Sequence, residues 1–143
     1  MSQSFTFLMV KPDAFDKRFE ILIRLLDEDF IPTYFHSGKL SKRDARMFYG
    51  EHRGKSYFDG MVEYLTSGKV LLMILFGENA ISRLRELVGA TEPANAAEGT
   101  LRRLYGTPNV QPMRNAVHAS DSEKSFLRDV SILLPYVDLS EYQ

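Results

Sequence analysis

Cysteine and tryptophan are absent from this chain of 143 residues, and several other common signals of function are missing as well. The absence of cysteine excludes disulfides, thiolate zinc sites and a cysteine nucleophile. The formal net charge is only −1, so no overall basic field favours nucleic acid, and no block of like charge favours a membrane surface. Neither a Gly-x-x-x-x-Gly-Lys-Ser/Thr loop nor a Gly-x-Gly-x-x-Gly fingerprint occurs, so any nucleotide would bind without those phosphate-binding loops.

Long apolar runs are also missing. The apolar stretch 5–10 is too short for a signal peptide and has no basic flank, and no run approaches the roughly 18 apolar residues of a membrane span. We therefore expect a cytoplasmic protein that requires neither a membrane nor nucleic acid. The chain is 44 % apolar and 26 % charged, which is typical of globular proteins. Its length predicts a single domain, residues 1–143, with a sizeable core.

Apolar runs and helical periodicities together predict an α+β fold. Their order is β-α-β-(αα)-β-α-loop-β-α, and removing the inserted helical pair leaves βαββαβ. That is the order of the ferredoxin-like (split βαβ) fold, an antiparallel four-stranded sheet with helices on one face. The most apolar run, 70–76, should be a central strand, and residues 132–134 with the tail should pack on the surface. Strands are expected at 5–10, 30–40, 70–76 and 115–119, and helices at 19–29, 41–52, 57–65, 80–88 and 121–130.

Residues 90–114 form a long segment without clear periodicity, interrupted by proline and glycine. Such segments in compact domains are usually functional or disordered. One interpretation is a solvated, partly mobile loop. The other is a phosphate-binding loop, because arginine binds phosphate through its forked donors, and threonine and asparagine add neutral ones. The side chains suited to phosphate in and beside this segment are Arg85, Thr91, Arg102, Arg103, Arg114 and Asn115.

His118 follows this segment and lies just before a predicted helix. Ser120 and Glu123 have the spacing of a capping box, which predicts a helix from about Asp121. The free N–H groups and positive dipole end of a helix start disfavour imidazolium, so an imidazole there stays neutral near pH 7 and can attack a phosphorus centre. The alternative is an ordinary polar residue at the end of a strand. The other two histidines lack metal-ligand spacing and are expected to be structural, so any metal would arrive with the phosphates.

Three stretches make the chain resemble the nucleoside diphosphate kinases. Residues 115–122, Asn-Ala-Val-His-Ala-Ser-Asp-Ser, are similar to that family's active-site signature, with Ala119 where glycine is commoner. Lys11-Pro12-Asp13 at the end of the first strand is a second match. Residues 89–93, Gly-Ala-Thr-Glu-Pro, together with residues 99–102, Gly-Thr-Leu-Arg, are a third. The resemblance runs from about residue 5 to residue 134, nearly the whole chain.

The resemblance implies a ping-pong transfer, in which a nucleoside triphosphate gives its γ-phosphoryl group to a histidine and the phosphohistidine passes it to a diphosphate. By position, His118 is the nucleophile, and Ser120 and Asp129 orient its imidazole. Mg²⁺ is expected to arrive with the nucleotide phosphates, and the protein is expected to be a homo-oligomer built from dimers. The nucleotide ligands implied by position are Lys11, Tyr49, Arg85, Thr91, Arg102 and Asn115 for the phosphates or sugar, and Tyr57 or Phe58, Met61 and Pro112 for the base.

The chain departs from the family pattern at several positions. Glutamate is usual where Asp129 stands, and aspartate is one methylene shorter. Tyr57, Met61 and Pro112 stand where the base is usually held by phenylalanine, leucine and valine. Arg-Leu at 103–104 replaces the usual Gly-Asp, the connection from there to the signature is longer, and the segment after the first strand is shorter. None of these changes removes a group that the reaction requires.

Two other functions are compatible with the predicted fold. A binding or regulatory module could keep the fold and lose turnover, but such a module has no reason to keep the full set of phosphate ligands. A ferredoxin-like RNA-binding domain would carry exposed aromatic residues on its strands and a basic face, and the balanced charge opposes this. We therefore expect an active kinase.

Overall fold

The computed structural model describes residues 2–110 and 114–142. Its sheet contains β1 (Gln3–Val10), β2 (Ile31–Gly38), β3 (Val70–Glu78) and β4 (Val117–Ala119). The spatial order is β2-β3-β1-β4, and all three pairings are antiparallel. The predicted fold class is therefore confirmed, and β3 is an inner strand as its continuous apolar run indicated. The last strand is shorter than expected, since it begins at Val117.

Six α-helices connect or flank these strands in the described ranges. The fourth has the predicted bounds and ends at Gly89, whose φ of +90° suits glycine. The second begins at Ser41, whose hydroxyl accepts a hydrogen bond from the Asp44 N–H at 3.1 Å. The helices are α1 (Arg18–Asp27), α2 (Lys42–Phe48), α3 (Phe58–Leu65), α4 (Ala80–Val88), α5 (Leu101–Tyr105) and α6 (Glu123–Leu133), with short 3₁₀ turns at Pro12–Lys17, Gly50–His52, Pro93–Asn95 and Leu139–Tyr142.

Both faces of the sheet are covered, because successive residues of a strand point to opposite sides and residues 6–10 of β1 are all buried. Leu8 and Val10 pack in one core with α1 and α4, as the ferredoxin-like order predicts. Phe7 and Met9 pack in a second core with the inserted pair α2 and α3 and with α6. The one-face arrangement expected from the sequence thus describes only α1 and α4.

The capping box of α6 lies two residues later than predicted. Ser122 is the N-cap: its hydroxyl accepts from the Ser125 N–H at 3.0 Å, and the Ser125 hydroxyl accepts from the Ser122 N–H at 3.0 Å. The prediction of a cap at Ser120 was wrong because serine supports the same reciprocal pattern as glutamate at the third position. Ser120 is instead fully buried, ahead of the helix.

The end of the chain is better packed than expected. Leu133 completes α6 and Leu134 is fully buried in the second core, so the prediction that residues 132–134 lie on the surface was wrong. Farther along, the Tyr142 ring lies edge-on against Phe5, with ring centroids 4.8 Å apart. The final turn therefore joins the last helix to the first strand.

The segment 90–114 is packed rather than solvated in its first part. The short helix α5 starts at Thr100, whose hydroxyl accepts from the Arg103 N–H at 3.4 Å. Leu101 is fully buried and Arg102 is nearly so. A Cβ at Gly89 would lie 2.7 Å from the Thr100 hydroxyl oxygen, so glycine is needed there for space as well as for its positive φ. Sequence periodicity missed α5 because five residues are too few to show it.

A row of apolar side chains remains exposed on α1 and β2. Residues 70–75 of β3 are buried within one chain. The exposed positions are on α1 and on the edge strand β2, namely Phe19 (63 % exposed), Ile23 (59 %), Leu26 (50 %), Ile31 (57 %) and Phe35 (50 %). Within the described ranges, no helix combines the length and apolar character that a membrane crossing requires.

Candidate active site

His118 lies on β4, at the edge of the sheet beside β1, where it faces Met9 in the antiparallel register. Its ring meets Phe48 edge-on, with centroids 4.8 Å apart and planes at 88°. The side chain keeps 27 % of its surface exposed, toward a cleft of about 350 Å³. The cleft is lined by Phe48, Tyr49, Glu51, His52, His118, Asp121, Ser125, Arg128 and Asp129.

Asp129 reaches the imidazole despite being one methylene shorter than glutamate. The His118 Nε2–H donates to Asp129 Oδ2 at 2.9 Å, and the Ser120 hydroxyl donates to the same oxygen at 2.8 Å. The carboxylate is only 2 % exposed. Because Nε2 carries the proton in this hydrogen bond, Nδ1 retains its lone pair.

Burial is the main influence on the protonation of His118. Desolvation lowers the pKa of its imidazole, the Asp129 carboxylate opposes this, and the positive charges of Lys11 and Arg102 lower the pKa further. The sequence argument attributed a neutral imidazole to a helix N-terminus. The structure gives the same direction but a different main cause, since α6 begins only at Glu123.

Lys11 and Asn115 meet at the end of β1. The Lys11 ammonium donates to Asn115 Oδ1 at 3.0 Å, and the Asn115 amide nitrogen donates to the Thr91 carbonyl at 2.9 Å. Burial, and then the charge of Arg102, lowers the pKa of Lys11 to about 8. The three predicted residues are therefore brought together from segments far apart in the sequence.

Two arginines add positive charge beside this group. Arg102 donates to the carbonyls of Gly89 and Val117, each at 3.1 Å, and Arg85 donates to the Ala119 carbonyl at 3.1 Å. Burial, and then the charge of Arg85, lowers the pKa of Arg102 to about 10. Neither arginine forms an ion pair with any described residue, and the buried Arg102 Nε has no hydrogen-bond partner among them. A buried and a half-buried cation without carboxylate partners favour an anionic ligand.

Arg103, the neighbouring arginine, has a different role. It donates to the carbonyls of Ala94 and Ala96, at 3.2 and 3.3 Å, and so holds the segment itself together. The guanidinium of Arg114 lies over the Tyr64 ring, 5.3 Å from its centroid. The four arginines that the sequence suggested for phosphate therefore differ in their contacts: Arg85 and Arg102 lie beside β4, whereas Arg103 and Arg114 contact other parts of the chain.

Two of the residues expected at the base lie at the start of α3 and within it. Tyr57 is 47 % exposed just before α3, whereas Phe58 is buried in the second core, so Tyr57 is the available ring of the two. Met61 is half-buried on the same helix. Pro112 lies outside the described residues. The Tyr57 hydroxyl lies 3.3 Å from His52 Nδ1, and His52 itself lines the cleft.

Tyr49 is buried beside the histidine and packs against Phe48 with ring centroids 5.0 Å apart. Burial raises the pKa of its phenol, which keeps it a neutral hydroxyl. That hydroxyl has no hydrogen-bond partner among the described residues. A buried hydroxyl without a partner is unusual and makes Tyr49 a candidate ligand-binding residue.

Sequence reasoning missed Glu51 and Arg128, which line the cleft. Arg128 donates to the Met47 and Phe48 carbonyls and so joins α6 to α2, and its guanidinium lies 3.8 Å from Asp129 Oδ1. Neither residue belongs to a recognisable motif, and only the packing of α2 against α6 brings them to the histidine.

Comparison with known proteins decides the family. The family model described as nucleoside diphosphate kinase matches residues 4–139. The chain belongs to the nucleoside diphosphate kinase family. A curated nucleoside diphosphate kinase from Persephonella marina is 40 % identical over 99 % of this chain and all of its own length. One from Methanosphaera stadtmanae is 39 % identical over 96 % of this chain and 90 % of its own.

Solved nucleoside diphosphate kinase structures have the same fold. The Aquifex aeolicus protein superposes with a TM-score of 0.84 at 34 % identity, covering 92 % of this chain and 94 % of that one. The Halobacterium salinarum protein, solved in complex with CDP, gives 0.86 at 32 % identity, covering 99 % and 92 %. The prediction of an active kinase is confirmed: the protein is a phosphotransferase that moves the γ-phosphoryl group from nucleoside triphosphates to nucleoside diphosphates by a ping-pong mechanism through a phosphohistidine.

Proposed function

We propose that His118 of this nucleoside diphosphate kinase carries the phosphoryl group and that its Nδ1 is the attacking atom. The observation that carries the proposal is the hydrogen bond from Nε2–H to the buried Asp129, which leaves the Nδ1 lone pair free beside the cleft. Nδ1 forms a bond to the γ-phosphorus, the bond from that phosphorus to the β–γ bridging oxygen breaks, and the diphosphate leaves. A second diphosphate then attacks the phosphohistidine through its terminal oxygen and regenerates the imidazole.

Asp129 and Ser120 support this step by orientation and charge. The carboxylate fixes the tautomer of the imidazole and balances the positive charge that develops on it as the N–P bond forms. The Ser120 hydroxyl occupies a second lone pair of the same oxygen, so the carboxylate cannot swing away without losing two hydrogen bonds.

The phosphates are assigned to the buried cations and their neutral neighbours. Phosphoryl transfer needs positioning and charge on the non-bridging oxygens more than it needs further covalent groups. Arg102 and Arg85 have no carboxylate partners among the described residues, and the Tyr49 hydroxyl is a buried donor without a partner there. The proposed ligands of phosphates or sugar are Lys11, Tyr49, Arg85, Thr91, Arg102 and Asn115.

The base is assigned to the exposed end of the site, against Tyr57 and Met61, with Pro112 on the other side. Tyr57 presents an open aromatic face, and its hydroxyl is already engaged by His52. Stacking of this kind accepts every base, which suits an enzyme that uses several nucleotides.

Mg²⁺ is the proposed cofactor, carried by the nucleotide phosphates. Magnesium keeps several waters and needs only one or two carboxylates besides phosphate oxygens. Glu51 and Asp121 supply two carboxylates at the cleft, which fits this requirement. The described part of the chain holds no group of three or more metal-ligating side chains that would form a separate protein cage. When bound, the ion would neutralise charge on the phosphates.

A dimer of identical chains is proposed through the apolar row on α1 and β2. Five large apolar side chains at 50 to 63 % exposure on two adjacent elements favour burial against a second copy. Ile23→Asp would place a charge in that contact, and sedimentation should then give a species near 16.4 kDa. Tyr136→Asp, at an exposed apolar position outside the row, should leave the dimer intact. A wild-type monomer at micromolar concentration would contradict the proposal.

We further propose that residues 1–143 act as one domain and that the enzyme works in the cytoplasm, where nucleoside triphosphates are made and consumed. The family match over residues 4–139 supports the first point. Limited proteolysis that released a separately folded fragment would oppose it. Cell fractionation tests the second.

The assignment of His118 is tested by trapping the phosphoenzyme. Incubation with γ-labelled ATP should give acid-labile, base-stable label on the peptide that contains His118. His118→Ala should lose both label and transfer while nucleotide binding remains, because the phosphate ligands are untouched. His36→Ala, on the exposed face of β2, is the matched control and should keep both. Retention of substantial exchange activity by His118→Ala would overturn the assignment.

A further inference from the structure

Asp13, the last residue of the Lys-Pro-Asp motif, has no part in the site described above, yet it contacts the backbone beside His118. Ala116 has a φ of +75°, and the Val117 N–H donates to the Asn115 carbonyl at 2.9 Å. A hydrogen bond across two residues with positive φ at the middle one is a γ-turn of the rare, strained kind. For alanine this conformation is unfavourable, so neighbouring groups must hold it.

The turn lies between the two functional ends of the segment. Asn115, just before it, contacts Lys11, and Val117, just after it, receives a hydrogen bond from Arg102 and leads into His118. A change in the turn would therefore alter the direction of Asn115 and the start of β4 together.

Both polar groups of Ala116 are held by the segment that follows β1. The Ala116 carbonyl accepts from the Lys11 N–H at 2.8 Å. The Ala116 N–H donates to Asp13 Oδ2 at 3.0 Å. The second bond is the one that a side chain supplies, so it depends on where the Asp13 carboxylate is held.

Tyr64 of α3 holds that carboxylate. Its hydroxyl donates to Asp13 Oδ1 and accepts from the Asp13 N–H at 3.0 Å, so both carboxylate oxygens are engaged, one by the tyrosine and one by the turn. Burial raises the pKa of Asp13, while the Ala116 N–H and the charges of Lys11 and Arg114 lower it. Helix α3 is therefore linked to the segment leading into β4 by two hydrogen bonds, one from Tyr64 to Asp13 and one from the Ala116 N–H to Asp13.

We propose that Asp13 and Tyr64 are positioning residues for phosphoryl transfer: Tyr64 fixes the Asp13 carboxylate, which holds the strained γ-turn at Ala116 and so aims Asn115 and His118. Neither residue touches the reacting atoms. The inference rests on the proposed role of His118.

The first test is Tyr64→Phe, which removes only the hydroxyl and keeps the ring. Small misplacements of reacting groups are costly, so the single-turnover rate of phosphoenzyme formation should fall about tenfold. The dissociation constant for ADP should change less than about twofold, because the charged phosphate ligands remain. Tyr34→Phe, on β2, is the matched control for loss of a hydroxyl and should keep the wild-type rate. A lowered melting temperature with an unchanged rate per folded molecule would mean that Tyr64 is only structural, and would overturn the proposal.

The second test is a double-mutant cycle with Ala116→Gly. Glycine adopts positive φ readily, so in that background the turn no longer depends on Asp13. Tyr64→Phe should then cost less than about threefold instead of about tenfold. Equal losses in the alanine and glycine backgrounds would show that the effect does not pass through the turn, and the proposal would fail.

Asp13→Asn provides a conservative variant, since its amide oxygen can still accept from Ala116. It should retain more of the rate than Asp13→Ala, and equal rates for the two variants would oppose the inference.

Peptide mapping of the label distinguishes the positioning role of Asp13 and Tyr64 from the proposed role of His118 as the phosphoryl acceptor. If the wild-type label is not on His118, the proposed function fails; if it is there and Tyr64→Phe labels at the normal rate, only the present inference fails.

Discussion

The two ends of the candidate site are built in opposite ways. Around His118, Asp129 and Ser120 are 2 % and 0 % exposed, and His118 and Ser120 both donate to the same Asp129 carboxylate oxygen. Around the proposed base position, Tyr57 is 47 % exposed and has a single long hydrogen bond, to His52. The comparison indicates that the phosphoryl end depends on fixed geometry, whereas the base end depends on an open surface. Substitutions at the two ends should therefore differ in size and in which kinetic constant they change.

The largest effect is expected for Asp129→Asn. The amide can donate to Nε2 and so favour the imidazole tautomer whose Nδ1 is protonated and unreactive; the comparable change in a Ser-His-Asp triad costs about 10⁴ in rate. Because no reacting bond passes through Asp129, we expect a loss of at least about 100-fold in phosphoenzyme formation, with little change in nucleotide affinity. Stopped-flow or quenched-flow labelling measures the rate, and Asp16→Asn, an exposed carboxylate before α1, is the control. Equal losses in rate and affinity would count against an orienting role.

The same variant should change the pH dependence in a defined direction. The neutral imidazole is the nucleophile, so the rate falls as the pH drops through the pKa of His118, which burial holds below the usual value of about 6.5. The Asp129 carboxylate raises that pKa, so its loss should move the acid limb to still lower pH. The nucleotide phosphates titrate equally for both enzymes, so their effect cancels in the ratio of the variant rate to the wild-type rate. This ratio should rise as the pH falls from 7.5 to 5. A constant or falling ratio would contradict this.

A smaller effect is expected for Ser120→Ala. It removes the hydrogen bond at 2.8 Å to the Asp129 carboxylate while leaving the His118 contact in place. A hydrogen bond to a charged group is typically worth about 1.5 kcal/mol or more, which corresponds to roughly tenfold in rate if the bond matters mainly in the transition state. Rapid-quench labelling tests this, with Ser131→Ala on the outer face of α6 as control. A loss as large as that of Asp129→Asn would show that Ser120 has a role of its own.

The smallest effects are expected at the base end. Tyr57→Phe removes the hydroxyl but keeps the stacking face, so kcat/KM should change less than about threefold. Tyr57→Ala should raise KM with kcat nearly unchanged, because stacking contributes equally to ground and transition states. Values of kcat/KM for adenine, guanine, cytosine, uracil and thymine diphosphates should lie within about 100-fold, or roughly 3 kcal/mol, with purines modestly favoured. A preference of 10⁴ or more for one base would break the comparison, because strong rejection requires buried polar groups at the base.

The sequence predicted those parts of the molecule that depend on local pattern. The apolar run of β3, the period of α4 and the spacing of the signature around His118 are each visible in a short window. The cap at Ser122, the short α5 and the bond between Tyr57 and His52 were not predictable in this way. Each depends on contacts between segments or on elements too short to show a period.

The hydrogen bonds of Asp13 also could not be predicted from the sequence, because its partners are distant along the chain. The motif around Lys11 was recognisable, but the partners of Asp13 are a tyrosine 51 positions away and a backbone N–H 103 positions away. Nothing in a linear pattern specifies that a positive φ will occur at an alanine. Asp13, Tyr64 and Ala116 come together only in the folded chain.

The pairing of the first strand with the last has a consequence for synthesis. Lys11 and Asn115 are 104 residues apart, and β4 joins the sheet by pairing with β1. Domains emerge from the ribosome N-terminus first, so β1 is made long before the strand that carries the histidine. A chain interrupted before residue 118 would therefore contain five of the six described helices but would lack His118, the residue proposed to accept the phosphoryl group. In a translation extract, labelled phosphate on the protein should therefore be found on full-length chains and not on chains that end before His118.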